Sequence, residues 1–333
     1  MAIKVKIDLT KPVGNVGFGI PLIMLENASE AVPYTLVSGV TEVVNAGFTE
    51  TTDVYKAAQL MFAQKDAPKY IAVCAVDKTA DAALADVVLV SKGWRHLVVV
   101  NEGDTVTDVA KVAAAVEALE GKMYFEGLDV DDSTVLTTKG LRRTVLFYCN
   151  ATEDVPVPVA ALVGAIAGKT VGSFTVKNLM LNGIAAQDLT AAQVETIHEK
   201  GGITFIAQAG DNVTSEGKVA GGEYIDVIDS EDYIVQQVTY HVQKLMNKVD
   251  KIPYTNNGIS MLENAVVYVM RSAYNNGMIA ETADGAPDYT VKFALREETA
   301  ESERAARKYL GGSFKFTLAG AIHDVEIVGE IAV

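Results

Sequence analysis

The sequence predicts an α/β fold in two parts: an N-terminal domain of alternating strands and helices, then a C-terminal α+β part built on a helical hairpin, with a β-strand arm at each end of the chain. Three observations predict it. IAVCAV (71–76) and HLVVVN (96–101) are continuous apolar runs between amphipathic segments, the pattern of parallel strands buried on both faces. Residues 221–279 hold two long stripes at three-and-four spacing, first Ile234, Val235, Val238, Val242, Leu245, Met246 and Val249, then Ile259, Leu262, Val266, Val269 and Ala273. Both ends of the chain are strand-like, most clearly at Ile3–Leu9, where apolar and charged residues alternate strictly. The expected organisation is an N-terminal arm and connector (1–20), an α/β domain (21–140), a core domain (141–316) and a C-terminal arm (317–333).

In order along the chain, Ile3, Val5, Ile7 and Leu9 fall on one face of the first strand and Lys4, Lys6 and Asp8 on the other. The connector behind it carries Gly14, Gly17 and Gly19. The α/β domain reads as helix 53–64, strand 70–76, helix 80–92, strand 96–101, helix 105–119 and a strand near 123–125, with a further strand at 145–149. Thr190 caps a short helix to Lys200, and a strand follows at 203–208 before an acidic turn at 211–216. In the first long helix Asp229 or Ser230 is the expected cap, Glu231 and Asp232 suit the first turn, and Lys244 and Lys248 suit the last. Ile252-Pro253 ends it, and Asn275-Asn276-Gly277 closes the second. Beyond lie a strand at 289–295, a charged helix at 297–309 ending at Gly311-Gly312, and strands at 314–318 and 325–331.

With 333 residues the chain can bury a sizeable core, and its formal charge of −15 opposes binding to nucleic acid, which rests on Lys and Arg neutralising phosphates. The richest apolar stretch, 155–168, is interrupted by Pro156 and Pro158, so no membrane span is expected, and the first residues do not read as a secretion signal. A soluble protein made in the cytoplasm is the expectation. Cys74 and Cys149 lie in strand-like apolar runs and read as buried free thiols.

No catalytic, cofactor-binding or metal-binding residues are assigned. The glycines at 14, 17 and 19 do not follow the dinucleotide-binding order, and no Gly-x-Ser-x-Gly turn occurs. Glu195 and His198 are one turn apart, but no second copy of that pair completes a metal site. The terminal strands, Ile3, Lys4, Val5, Lys6 and Ile7 at one end and Val325, Glu326, Ile327 and Val328 at the other, present backbone groups that need partners. They pair either with each other within one molecule or with a neighbouring subunit. Gly14, Gly17, Gly19, Gly311 and Gly312 are the candidate hinges between arms and body. Arg304, Arg307 and Lys308 form a basic cluster on the charged helix, explained either as a contact surface or as cations favouring a helix C-terminus; Lys244, Lys248 and Lys251 are a second such cluster.

The runs GGEYIDVID (221–229), KIPYTNNGI (251–259) and NNGMI (275–279), with Asp232-Tyr233 between the first two, resemble the core of contractile tail sheath proteins of bacteriophages and R-type bacteriocins. The resemblance extends through VPVPVAALVGAIAG (155–168), SFTVKNLMLNGI (173–184), KGGITFIAQ (200–208) and LAGAIHDVEIVGEI (318–331), about the last two thirds of the chain. SGVTEVVNAGF (38–48) and VYKAAQLMFAQ (54–64) are similar to segments of the shorter Gram-positive sheath proteins. The resemblance implies a non-enzymatic subunit without cofactor that polymerises with itself around an inner tail tube, exchanges terminal strands with its neighbours, and meets baseplate and tail terminator proteins in a phage tail or released phage-like particle. It favours pairing of the arms between subunits, and it implies that Arg304, Arg307 and Lys308 face the tube. An α/β enzyme with a dispersed active site and a monomeric binding module are the alternatives.

Overall fold

The computed structural model describes residues 18–101, 106–132, 140–323 and 325–327. It has two compact units, one comprising Gly14–Thr170 with Phe174–Ile228, the other including Val171–Ser173 and Asp229–Val333.

In the first unit the elements run β1 (Ile20–Glu26), β2 (Val32–Val37), α1 (Val40–Asn45), α2 (Asp53–Phe62), β3 (Ile71–Ala75), α3 (Ala80–Ala83), α4 (Val87–Val90), β4 (Trp94–Asn101), α5 (Val109–Glu117), β5 (Met123–Leu128), β6 (Thr144–Tyr148), α6 (Val159–Ala167), α7 (Ala191–Glu199), β7 (Gly202–Gln208) and β8 (Asp211–Thr214). The strands form one sheet in the order β2-β3-β1-β4-β5-β6-β7-β8. All neighbours pair in parallel except β2 and β8, the antiparallel edges. Strand alternation sends Ile23, Val73, Val98, Phe125 and Phe147 to one face, where they join Met61 of α2 and Leu162 of α6. Leu22, Met24, Cys74 and Tyr124 point to the other, against Ala83 of α3, Leu89 of α4 and Val112 of α5. Burial on both faces is why these strands read as unbroken apolar runs.

The central strand β1 falls between the glycine connector and the first expected helix, and the sequence reading assigns it no element. Its sequence IPLIMLE is nevertheless another continuous apolar run, buried almost throughout. The helix expected at 80–92 is two short ones, because the Asp86 carboxylate accepts from Val88 N–H at 2.8 Å and starts a new turn. The helix expected from 105 starts at Val109, capped by Asp108. The expected turn at 211–216 is partly β8. Thr190 caps α7 as the sequence predicts, in a reciprocal pairing with Gln193.

Two long helices follow, α8 (Ile225–Lys248) and α9 (Asn256–Asn275). Helix α8 starts earlier than the sequence suggests. Asp229 and Ser230 are therefore buried helix-interior residues rather than caps, and Asp226 is the acidic residue of the first turn. Ile234, Val238 and Val242 are buried along it, and Ile259, Val266, Val269 and Ala273 along α9. In the second unit His241 and Tyr268 join the two helices, their ring centroids 4.8 Å apart. The Thr255 hydroxyl caps α9 by accepting from Gly258 N–H, and Gly277 adopts φ +82° just beyond its end.

The remaining elements are β9 (Tyr289–Phe293), a 3-10 turn (Arg296–Glu298), α10 (Glu301–Ala305) and β10 (Gly312–Phe316). The charged helix expected over 297–309 is thus a short turn and a short helix. Polar side chains interrupt it: Glu298 accepts from Leu295 N–H at 2.7 Å, and the Thr299 hydroxyl donates to Arg296 O at 2.7 Å.

Candidate functional site

In the first unit β1 lies between β3 and β4 where the chain reverses its winding direction, the place at which open α/β sheets bind ligands. Glu26 ends β1 there and is 2% exposed. Its carboxylate accepts from Ala80 N–H and from the Thr107 hydroxyl, each at 2.6 Å, and Thr107 Oγ1 accepts from Asn101 Nδ2 at 2.8 Å. With both oxygens engaged, Glu26 clasps the connections after β3 and β4. His198 Nε2 lies 2.8 Å from Ser215 Oγ, which also accepts from Thr204 N–H, and burial holds the imidazole pKa below its ordinary value. Among the described residues no three metal-ligating side chains gather. Cys74 and Cys149 are buried free thiols, each pushed up to about 12 by burial.

One edge of this sheet is blunted and the other covered. In β2, Pro33 has no N–H to offer and the pairing with β3 shifts register between Val32 and Thr35, two devices that blunt an edge. Beside β8, Asn178 N–H donates to Thr214 O at 2.9 Å and Thr214 N–H to Leu179 O at 3.0 Å, so a loop covers its outer side.

The second unit offers the opposite arrangement. Strands β9 and β10 form an antiparallel sheet of only two strands, pairing Phe293 with Gly312, Lys292 with Ser313, Val291 with Phe314, Thr290 with Lys315 and Tyr289 with Phe316. Ala294 N–H donates to Gly311 O and Thr317 N–H to Asp288 O. By antiparallel alternation, Lys292 and Ser313, like Thr290 and Lys315, bond each other, while Val291, Phe293, Phe314 and Phe316 turn their backbone groups outward. No strand among the described residues pairs with either outer edge. One face is half-buried (Tyr289, Val291, Phe293, Phe314, Phe316), and the other is exposed and polar (Thr290, Lys292, Ser313, Lys315). The sequence reading finds both strands but neither their pairing nor the shared lysine face. The apolar–lysine alternation of TVKF and SFKF is a signal for the polar face of each strand, not for their pairing.

The loop joining these strands is rigidly tied. Tyr309 stacks on Phe293 at 5.7 Å and its hydroxyl donates to Ala294 O at 2.8 Å, while Tyr254 Oη donates to Lys308 O at 3.2 Å. Arg304 Nη1 donates to Arg296 O at 3.1 Å and also to Thr299 O, so this guanidinium is held within its own loop. Helix α10 ends with Lys308 N–H donating to Glu303 O and Arg307 N–H to Arg304 O, and Arg307 sits at φ +55°, a position usually given to glycine. Arg304, Arg307 and Lys308 are therefore neighbours in one cap rather than a stripe on one helix face. The Arg307 and Lys308 side chains are exposed.

Of the expected arm and hinge residues, Ile3, Lys4, Val5, Lys6, Ile7, Gly14, Gly17 and Val328 lie outside the described residues. Val325 and Ile327 are 74% and 87% exposed, and Val325, Glu326 and Ile327 belong to no strand among the described residues. Gly19 is at φ +108°. Gly311 and Gly312 sit in the hairpin, where a Cβ would meet Ala294 Cβ at 2.7 Å and the Phe293 ring at 2.9 Å. Beyond the hairpin, Gly320 (φ +57°) stands in open space.

Residues 225–331 match the family model of the E217 tail sheath protein gp31-like C-terminal domain. No curated protein matches the sequence. Among solved structures, the chain is similar over 100% of its length to 98% of a chain in the contracted helical sheath of the anti-feeding prophage, with TM-score 0.70 and 15% identity. A chain in the contracted PVC sheath of an extracellular contractile injection system matches over 100% of this chain and 96% of its own, with TM-score 0.68 and 12% identity. A sheath tail protein from Desulfitobacterium hafniense matches over 88% and 92%, with TM-score 0.56 and 10% identity.

Proposed function

We infer that this chain, with the fold of contractile sheath subunits along its length and a tail-sheath C-terminal domain at residues 225–331, is a structural subunit of the contractile sheath of a phage-like tail. The resemblance carried by GGEYIDVID, KIPYTNNGI and NNGMI is borne out by the domain match and the fold. The subunit polymerises with itself around an inner tube protein, and baseplate and terminator proteins close the ends. Its role is mechanical rather than catalytic, with the energy of contraction stored in a metastable extended lattice that needs no nucleotide. No helix among the described residues is long and apolar enough to cross a membrane. Assembly from subunits made in the bacterial cytoplasm and function without nucleic acid or lipid complete this reading.

The observation that carries the assembly mechanism is the two-stranded sheet. Two strands alone are marginal in water; packing of β9 on α9 supports this sheet from one face, and its outer backbone edges remain able to take a further strand. The chain has a terminal segment of alternating pattern at one end and exposed Val325 and Ile327 at the other, while the eight-stranded sheet has one edge covered and the other blunted. Terminal segments of neighbouring copies adding to β9 or β10 supply the missing strands. Bending at Gly14, Gly17 and Gly19 on one side and Gly320 on the other lets the bodies turn while the main-chain bonds hold. Gly311 and Gly312, tight in the hairpin, contribute by close packing. The exposed cations Arg307 and Lys308, with Arg304 holding their loop, form the surface offered to the tube.

Deleting residues 1–8, or separately 325–333, and sedimenting the purified protein tests this reading. Both truncated chains are expected to stay folded and fail to form long polymers. Normal polymers from both would remove strand exchange.

A further inference from the structure

The first unit carries an apolar knob in the helical layer on one side of its sheet and an apolar cavity in the layer on the other side. We propose that Val87 and Val88 of one copy of this chain seat in the cavity between α2 and the 154–157 loop of a second copy, a side-by-side contact of the bodies. The inference rests on the sheath reading above and adds to it a surface that uses neither terminal arm.

Helix α4 builds the knob. Its sequence VVLV buries Leu89 and leaves Val87 and Val88 79% and 65% exposed. The helix is held in place at both ends: the Asp86 carboxylate accepts from Val88 N–H, and Trp94 Nε1 donates to Leu89 O at 2.9 Å. Among the described residues of this unit, Val87 and Val88 are the only exposed large apolar side chains adjacent in sequence. Exposed apolar residues scattered singly are ordinary, whereas a fixed apolar pair is a feature of contact surfaces.

The cavity has a volume of about 280 Å³ and is lined by Leu60, Val155, Pro156 and Val157, with Lys56 and Asp154 among its polar residues. Its walls are tied together. Lys56 Nζ donates to Glu153 O at 2.7 Å, and Thr152 and Val155 exchange backbone hydrogen bonds at 3.0 and 3.1 Å, so the loop is fixed against α2 before anything enters. Helix α2 packs on the sheet face of Ile23 and Val73, and α4 on the face of Leu22 and Met24. Knob and cavity therefore lie on opposite sides of the sheet.

That placement argues for a second copy as the occupant. A contact between two different surfaces on opposite sides of a subunit cannot close within a pair; every added copy leaves one knob and one cavity for the next, and a ring or a filament results. Charge agrees with it. Lys92, at the end of α4, and Asp154, at the cavity, are exposed, and neither makes an ion pair among the described residues. With Val87 and Val88 seated, Lys92 of one copy meets Asp154 of the other, which orients the approach more than it adds affinity.

The test uses the full chain and its polymerisation threshold, the concentration above which polymer sediments. Val87→Asp with Val88→Asp is expected to raise the threshold on the order of tenfold. The melting temperature should not fall, because acidic residues suit the first turn of a helix. Ala63→Phe, at the exposed end of α2 and lining the cavity, should fill it and raise the threshold by a similar factor. The combined variant should be no worse than either alone, since both remove one contact. Multiplied effects would show two separate contacts and overturn the proposal, as would an unchanged threshold with the cavity filled. Contact is read directly by disulfide formation, since both native cysteines are buried. A chain with Val88→Cys mixed with a chain with Gln59→Cys should form mixed dimers in polymer. Links only between identical positions would contradict it. If the wild-type chain forms no polymer under any condition, the sheath reading fails and takes this contact with it. If it polymerises indifferently to these changes, only the contact fails.

Discussion

Replacing Gly164 with alanine sets two effects of opposite sign against each other. Gly164 lies inside α6, where helix propensity favours alanine by about 1 kcal/mol. The added Cβ, however, would stand 2.6 Å from Met61 Cα and 2.6 Å from Met61 O, with Gln64 Cγ at 3.0 Å. The two nearest atoms are α2 backbone, so no rotamer change relieves the clash and the two helices must separate along a buried apolar seam. Overpacking of this kind costs roughly 1–3 kcal/mol, which outweighs the propensity gain over most of that range. The middle of that range leaves a net loss of about 1 kcal/mol, which corresponds to a melting point lowered by roughly 2–4 °C for a unit of this size. Trp94 is the sole tryptophan, is 1% exposed and belongs to the same unit, so its fluorescence during thermal or urea unfolding reports this packing. A melting point that stays the same or rises would show that α2 and α6 do not cross at Gly164 as described.

Three further outcomes are expected. Arg307→Gly relieves a left-handed backbone position at the end of α10 and should raise stability by up to about 1 kcal/mol in a thermal melt, whereas a loss larger than that would contradict the cap geometry. Glu26→Ala leaves Ala80 N–H and the Thr107 hydroxyl without their acceptor and should cost about 1–3 kcal/mol in urea unfolding; a neutral effect would show that the clasp is not formed. Burial, helped by the adjacent Arg95 charge, holds His96 down to about 3, so the folded chain binds fewer protons than the unfolded chain between there and about 6.5. Stability should therefore fall as pH drops through that window. His96→Leu should flatten the fall, and an identical pH slope in both proteins would refute the assignment.

Much of the fold was legible because its physics is local. Strands β3 and β4 announced themselves as continuous apolar runs, α9 as a stripe closed by Gly277, and α7 through its cap Thr190. Strand β1 carried the same signal but stood behind three glycines that drew attention to a connector. The charged helix failed for a different reason: its pattern was helical, yet Glu298 and Thr299 found better partners in the backbone beside them than a continuous helix would allow. That misreading placed Arg304, Arg307 and Lys308 on a common stripe, where the structure ties Arg304 inward and leaves Arg307 and Lys308 exposed. The open sheet edge was hidden because pairing is nonlocal. Nothing in TVKF or SFKF alone says that these strands meet each other and no third strand among the described residues.

The central claim is that this chain builds a sheath lattice from its own contacts, and negative-stain electron microscopy of the purified full-length protein across a concentration series tests it most directly. Striated tubes or stacked rings of uniform diameter, appearing above a threshold concentration, are the predicted result. Only small monodisperse particles at every concentration, persisting when an inner tube protein is co-expressed, would contradict it.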